Sequence, residues 1–330
     1  MKLSRCGQDS SGFAKIIFVI VLDFICVLRF KVKGSKCLGS CIFYLLSFIL
    51  LFSSNLLAEG WEKSLDFSLN LTQNSYSDNW AGGEAGSFNW MANLNSSANK
   101  QLTPKLHSKN TLKLAFGQTH QQDKDTKEWM KPFKSTDLFD FESLLRFTLN
   151  AWVDPYLAGR LESQFLDASV DQIKRYFNPI KISESAGIAR VFYKKETSEF
   201  MSRLGLGLRQ HINREITDTL QEKTDVKTSN DGGIESVTDL KVGLASGKIS
   251  YTSKLTLFKA IFYSKSDELV GLPEENYWKW VDVNWENMFS SSITKYLTVN
   301  LYVQFLYDKE VDKKGRLKET LALGLTYKLF

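Results

Sequence analysis

From Trp61 to the C-terminus the chain alternates apolar and polar residues with a period of two, and it does so in twelve separate runs. The first, SLDFSLNLT, puts Leu65, Phe67, Leu69 and Leu71 on one face and Asp66, Ser68 and Asn70 on the other. Successive side chains of a β-strand point to opposite faces, so such a run is a strand with one apolar face. The stripes recur at Phe88–Leu94, Leu112–Phe116, Phe139–Leu149, Leu157–Phe165, Ile180–Ile188, Phe200–Leu208, Leu240–Leu244, Ile249–Leu257, Val281–Trp285, Leu297–Phe305 and Leu321–Leu329. No run of comparable length carries a clean helical period, and after the leader none reaches the ~20 apolar residues of a membrane helix.

The connections between these runs sort by length. QLTPK, WVDP, KKETSE, ASGK and SSSITK are short, and they alternate with the long segments 73–86, 118–136, 166–179, 213–233, 263–276 and 308–317. A transmembrane barrel has short periplasmic turns at one rim and longer extracellular loops at the other. The expectation is therefore an all-β fold: an antiparallel up-and-down transmembrane β-barrel of about twelve strands. Eight Trp, twelve Tyr and 23 Phe suit the aromatic girdles of such a barrel, with Trp61, Trp80, Trp152, Trp278, Trp280, Tyr193 and Tyr327 as candidates.

Charge and cysteine divide the chain into a leader, 1–58, and a body, 59–330. The net charge of +5 lies wholly in the leader, leaving 35 basic and 35 acidic residues in the body. A neutral body has no electrostatic footprint for nucleic acid. All four cysteines, Cys6, Cys26, Cys37 and Cys41, also lie in the leader, so the body suits an oxidising compartment. Lys31, Lys33 and Lys36 precede the apolar run 41–52, and SSNLLA ends at Ala58. This is the layout of a secretory signal peptide, with cleavage expected after Ala58 and bacterial outer-membrane localisation. Residues 1–30 read as a start-site artefact.

Function is expected on the lumenal face. The polar phase carries Asp140, Glu142, Arg146 and Asn150, then Arg160, Glu162 and Gln164, then Arg203, Arg209 and His211, then Asp282, Asn284 and Glu286. Glu184 and Arg190 interrupt the apolar phase of their strand, whose orientation the pattern leaves open. A mixed-charge lumen serves an open pore through a transverse field, and it serves a closed barrel through neutralising pairs. The readings are a porin-like channel or gated transporter for small polar solutes, a non-conducting structural or surface-binding barrel, and a membrane-embedded lipid hydrolase with His211 as base. The hydrolase has least support, since the body holds three histidines and no evident nucleophile–base pair. No spacing points to a cofactor or a metal; DKEVDKKG, with Asp308, Glu310 and Asp312, lacks the full calcium-loop pattern.

The stretch NSYSDNWAGGE connects the first two strands on the extracellular side. Gly82 and Gly83 suit a reversal, and Trp80 and Glu84 are its candidate ligand contacts. A Trp–Ala–Gly–Gly–Glu element after an alternating first strand, with YFNPIKISESAGIARVFYKKE (176–196) and FMSRLGLGLRQ (200–210), resembles the DUF3078 family of uncharacterised proteins from Bacteroidetes-type bacteria. The resemblance implies an outer-membrane barrel and transfers no catalytic residue. The final strand, LALGLTYKLF, resembles the signal read by the barrel-insertion machinery, although Phe330 is out of phase with Leu325, Tyr327 and Leu329. Outer-membrane lipid and that machinery are the expected partners.

Overall fold

The computed structural model describes residues 60–328 apart from 78–84, 150, 171–172, 196, 219–222, 246–247 and 295. The leader, the Trp80–Glu84 element, Asn150 and Phe330 lie outside the described residues. Fourteen strands are described. They are β1 (Glu62–Asn74), β2 (Ser87–Thr103), β3 (Leu106–Gln121), β4 (Phe133–Phe147), β5 (Asp154–Ser163), β6 (Leu166–Val170) and β7 (Ile173–Tyr176). The chain continues with β8 (Ile180–Lys195), β9 (Ser198–Asp218), β10 (Lys223–Leu244), β11 (Ile249–Tyr263), β12 (Val281–Ser292), β13 (Leu297–Tyr307) and β14 (Arg316–Lys328). Twelve of them close into one antiparallel barrel in the order β1-β14-β13-β12-β11-β10-β9-β8-β5-β4-β3-β2, while β6 and β7 pair only with each other. Each expected stripe falls on a barrel strand, except that Leu149 and Phe165 lie beyond the ends of β4 and β5 and Leu329 is outside the described residues.

The register shows which phase faces out. Phe67 pairs with Leu94, Leu69 with Ala92 and Leu71 with Trp90, so the apolar phases of β1 and β2 share a face. The same holds from Leu301↔Leu321 to Phe305↔Leu317 on the far side of the seam. These side chains are open to the outside, with Leu206 at 67% and Leu321 at 70% exposure. Such a continuous apolar belt, exposed while charged residues are enclosed, inverts a water-soluble core and is the surface of a membrane-spanning barrel.

Two long connections differ from expectation. Residues 213–218 and 223–233 are strand: β9 and β10 stay paired from Asp231↔Arg209 to Lys223↔Asp218, above the last rung that β8 or β11 supplies. The apolar stripe reports only the part of a strand that meets lipid. Backbone pairing continues above it without an apolar face. The 166–179 segment likewise contains β6 and β7, which pair as two short strands above the short β5. Asp137 of β4 holds its start, accepting the backbone N–H of Phe165 at 2.6 Å and of Leu166 at 2.8 Å. Asn178 holds its end: it donates to Asp167 at 2.9 Å and to Asn213 at 3.0 Å, and accepts the N–H of Arg214 at 2.7 Å. On the outer side Phe165 packs against Phe116, Phe139 and Phe177 with ring centroids 5.8–6.5 Å apart.

Candidate functional site

Alternation in each strand turns one set of polar residues inward, and the closure of the ring brings those sets together. Asp140 on β4 accepts two hydrogen bonds from Arg160 on the adjacent β5, at 2.8 Å from Nε and 3.0 Å from Nη2. The same guanidinium lies 3.2 Å from Glu162 and 3.7 Å from Glu286 on β12. Glu286 accepts Lys113 Nζ from β3 at 2.9 Å. Glu142 on β4 accepts Arg203 Nη2 from β9 at 2.6 Å and is also bound by Lys254 from β11.

Three of these contacts cross the lumen. β3 and β12 stand five strands apart by the shorter way round the twelve-stranded ring, as do β4 and β11, and β5 and β12. Their side chains nevertheless touch, so charged side chains bridge the lumen at this level. Carboxylates and cations alternate, and each buried charge named here has an opposite one in contact, as a low-dielectric interior requires. Asp140 and Arg203 are 5% and 2% exposed.

A second layer lies toward the long loops. Arg209 gives Nε and Nη2 to Asp231 at 2.8 and 2.5 Å, and Nη1 to Asp282 on β12 at 2.7 Å. Its guanidinium lies over the Phe258 ring at 3.6 Å. Between the two layers is a cavity of about 50 Å³, lined by Glu142, Arg160 and Lys254 on one side and Arg209 and Phe258 on the other. That volume holds a few water molecules and no larger solute.

Nine lumenal charges were expected from the sequence. Asp140, Glu142, Arg160, Glu162, Arg203 and Glu286 meet in the first layer, and Arg209 and Asp282 in the second. Arg146 stands apart at the short-turn end, paired with Asp154 at 3.0 Å. Gln164 belongs to the strap above β5, where it accepts Lys134 Nζ at 2.7 Å. Lys113, Lys254 and Asp231 went unnamed, although each occupies the polar phase of its strand; extending the alternation to β3, β10 and β11 finds them. Glu184 and Arg190 both face outward. Glu184 pairs with the outward Leu208 in register, and Arg190 stands two rungs beyond Ile188. His211 Nε2 lies 3.8 Å from Asp231, a carboxylate engaged by Arg209, which makes it a neighbour of an ion pair.

Near the mouth, Asp308 and Glu310 follow β13. Desolvation, then the carboxylates of Asp308, Asp282 and Asp231, push the Glu310 carboxyl up to about 7, with Arg209 acting in the opposite direction. The adjoining loops bring Lys309 Nζ 3.7 Å from the Trp280 ring and 4.9 Å from the Tyr277 ring.

No curated protein matches the sequence. Among solved structures, the chain is similar to the COG4313 outer membrane channel from Pseudomonas putida F1, at 13% identity and TM-score 0.37, covering 82% of this chain and 96% of that one. It is also similar to the translocator domain of the autotransporter NalP from Neisseria meningitidis, at 8% identity and TM-score 0.33, covering 88% and 96%. A third is the low-pH structure of Pseudomonas putida OprB, at 9% identity and TM-score 0.26, covering 84% and 95%. The fold of the present chain rests on its own strand order and outward apolar belt. The segments 176–196 and 200–210 that contributed to the resemblance lie beyond the residues matched by a family model. That model, Protein of unknown function (DUF3078), matches residues 71–168, from the end of β1 into β6, and this part of the chain is similar to that family.

Proposed function

We propose that the protein is an outer-membrane channel for small polar solutes, closed at rest by the lumenal ion pairs and conducting when they part. The short turns face the periplasm and the long loops the exterior. The leader directs export, and the barrel-insertion machinery assembles the body, 59–330. One observation carries the reading: Lys113–Glu286 and Lys254–Glu142 link opposite walls through single flexible lysines. A lumen designed only to be filled is packed most stably with apolar side chains, because paired charges repay their desolvation incompletely. Charges instead leave a polar path when they separate.

The test is single-channel conductance in a planar bilayer, comparing the refolded 59–330 protein with its Lys113→Ala/Lys254→Ala variant. Each substitution leaves its glutamate with an arginine, Arg160 for Glu286 and Arg203 for Glu142, so folding survives. The parent shows rare, small steps, and the variant opens several-fold more often. Silence from both, with heat-modifiable gel mobility confirming folded barrels, overturns the channel reading. The same closure would then favour a non-conducting structural barrel.

A further inference from the structure

Outside the lumen, one arginine lies between two aromatic rings and, among the described residues, pairs with no carboxylate. Arg190 is on the outward face of β8, near the short-turn end. Its Cζ lies 4.4 Å from the Trp152 ring centroid and 5.2 Å from that of Phe192. A register shift between Val191 and Tyr193 adds one residue to the strand, so Phe192 and Tyr193 are both about half exposed. Phe192 also stacks on Phe200 of β9, with centroids 5.0 Å apart and planes 26° apart. The guanidinium is thus held between two rings by attraction to their faces. Among the described residues no carboxylate forms an ion pair with it, and no hydrogen bond takes its N–H groups.

Beside it is a depression of about 370 Å³, lined by Arg190, Trp152, Thr148, Arg146 and Asp154. Arg146 is neutralised there by Asp154, whose other oxygen accepts the N–H of Leu149 at 3.0 Å. Arg190 therefore carries the net charge of the site. Trp152 is 74% exposed. The exposed rings of Phe147, Phe192, Tyr193 and Phe200 continue around this rim as an aromatic girdle, the level at which headgroups meet acyl chains.

We propose that Arg190, braced by Trp152 and Phe192, binds the phosphate of a phospholipid in the leaflet at the short-turn side, whose acyl chains lie along the apolar belt. The guanidinium presents paired N–H donors that match two phosphate oxygens, and the depression receives the headgroup. The occupant is a lipid because the site opens directly onto the belt: Ile188, two residues up the same face, is 44% exposed.

Native mass spectrometry of the detergent-purified barrel titrated with dioleoyl phosphatidylglycerol tests this. The first lipid binds the parent at about tenfold lower concentration than it binds the Arg190→Gln variant, with Trp152→Ala between them. Lys195→Gln removes an exposed cation of the same end and leaves binding unchanged. Millimolar inorganic phosphate fails to displace the lipid. Equal binding by the parent and Arg190→Gln overturns the proposal, as does an equal loss in Lys195→Gln, which makes the attraction one of general charge. Displacement by inorganic phosphate overturns the lipid assignment. Heat-modifiable mobility confirms that each variant is folded.

Discussion

At the scale of single residues, the lumen shows what enclosure demands of charge. Arg203, 2% exposed, satisfies Glu142 at 2.6 Å and lies 3.7 Å from Asp239. Removing one partner of such a pair costs about 3–5 kcal/mol, because the other charge is left enclosed. Glu310 at the mouth has the opposite problem, too many carboxylates nearby. Its pKa is about 7 in the folded protein against an ordinary 4.5. Between those values the folded state holds a proton that the unfolded chain has released, so stability is highest at low pH and falls as pH rises from about 4.5 to about 7. Glu310→Gln flattens that dependence. Urea midpoints of the detergent-solubilised barrel at pH 5 and pH 8 check it, with a parent that is no less stable at pH 8 refuting the assignment.

At the scale of elements, the β6–β7 strap fills the rim where β5 ends early and β8 begins late. It has little apolar burial of its own. Its place is held by polar anchors, above all Asp137, whose side chain is 2% exposed and also pairs with Lys134 at 3.2 Å. Loss of that carboxylate leaves two backbone donors unmet, at about 1–3 kcal/mol each. Asp137→Ala therefore frees the strap, and limited proteolysis cuts between 164 and 179 several-fold faster while the barrel keeps its heat-modifiable mobility. Cleavage at the parental rate would mean that the aromatic contacts of Phe165 suffice.

At the scale of the whole molecule, closure depends on the seam between β1 and β14. The described register runs from Asp66↔Lys328 to Asn70↔Gly324. A Cβ on Gly324 would lie 2.0 Å from Asn70 Oδ1 and 3.3 Å from the Leu69 carbonyl, so a side chain at this point of the seam must displace the Asn70 amide. Gly324→Val overfills it at about 1–3 kcal/mol, lowering the temperature at which the compact gel species is lost. An unchanged transition would show that the seam yields. This joint is remote in sequence, and no local pattern around Gly324 announces its partner.

Alternation was enough to place all twelve barrel strands and, for all but β8, their two faces, because a strand between lipid and lumen must repeat every second residue. It also identified Asp140, Glu142, Arg160, Arg203 and Glu286 as lumenal. It could not show that Lys113 reaches Glu286 or that Lys254 reaches Glu142, since those contacts depend on the ring's diameter and shear. The paired extension of β9 and β10 was hidden for a related reason: above the membrane a strand keeps its hydrogen bonds and loses its apolar mark. The orientation of Arg190 was settled by its register with β9, and its aromatic brace by the shift at Phe192. Outside β8, sequence determined which residues face inward and which face out. Only tertiary structure decided which of them meet, because the meeting partners are joined across the barrel's interior and around its rim.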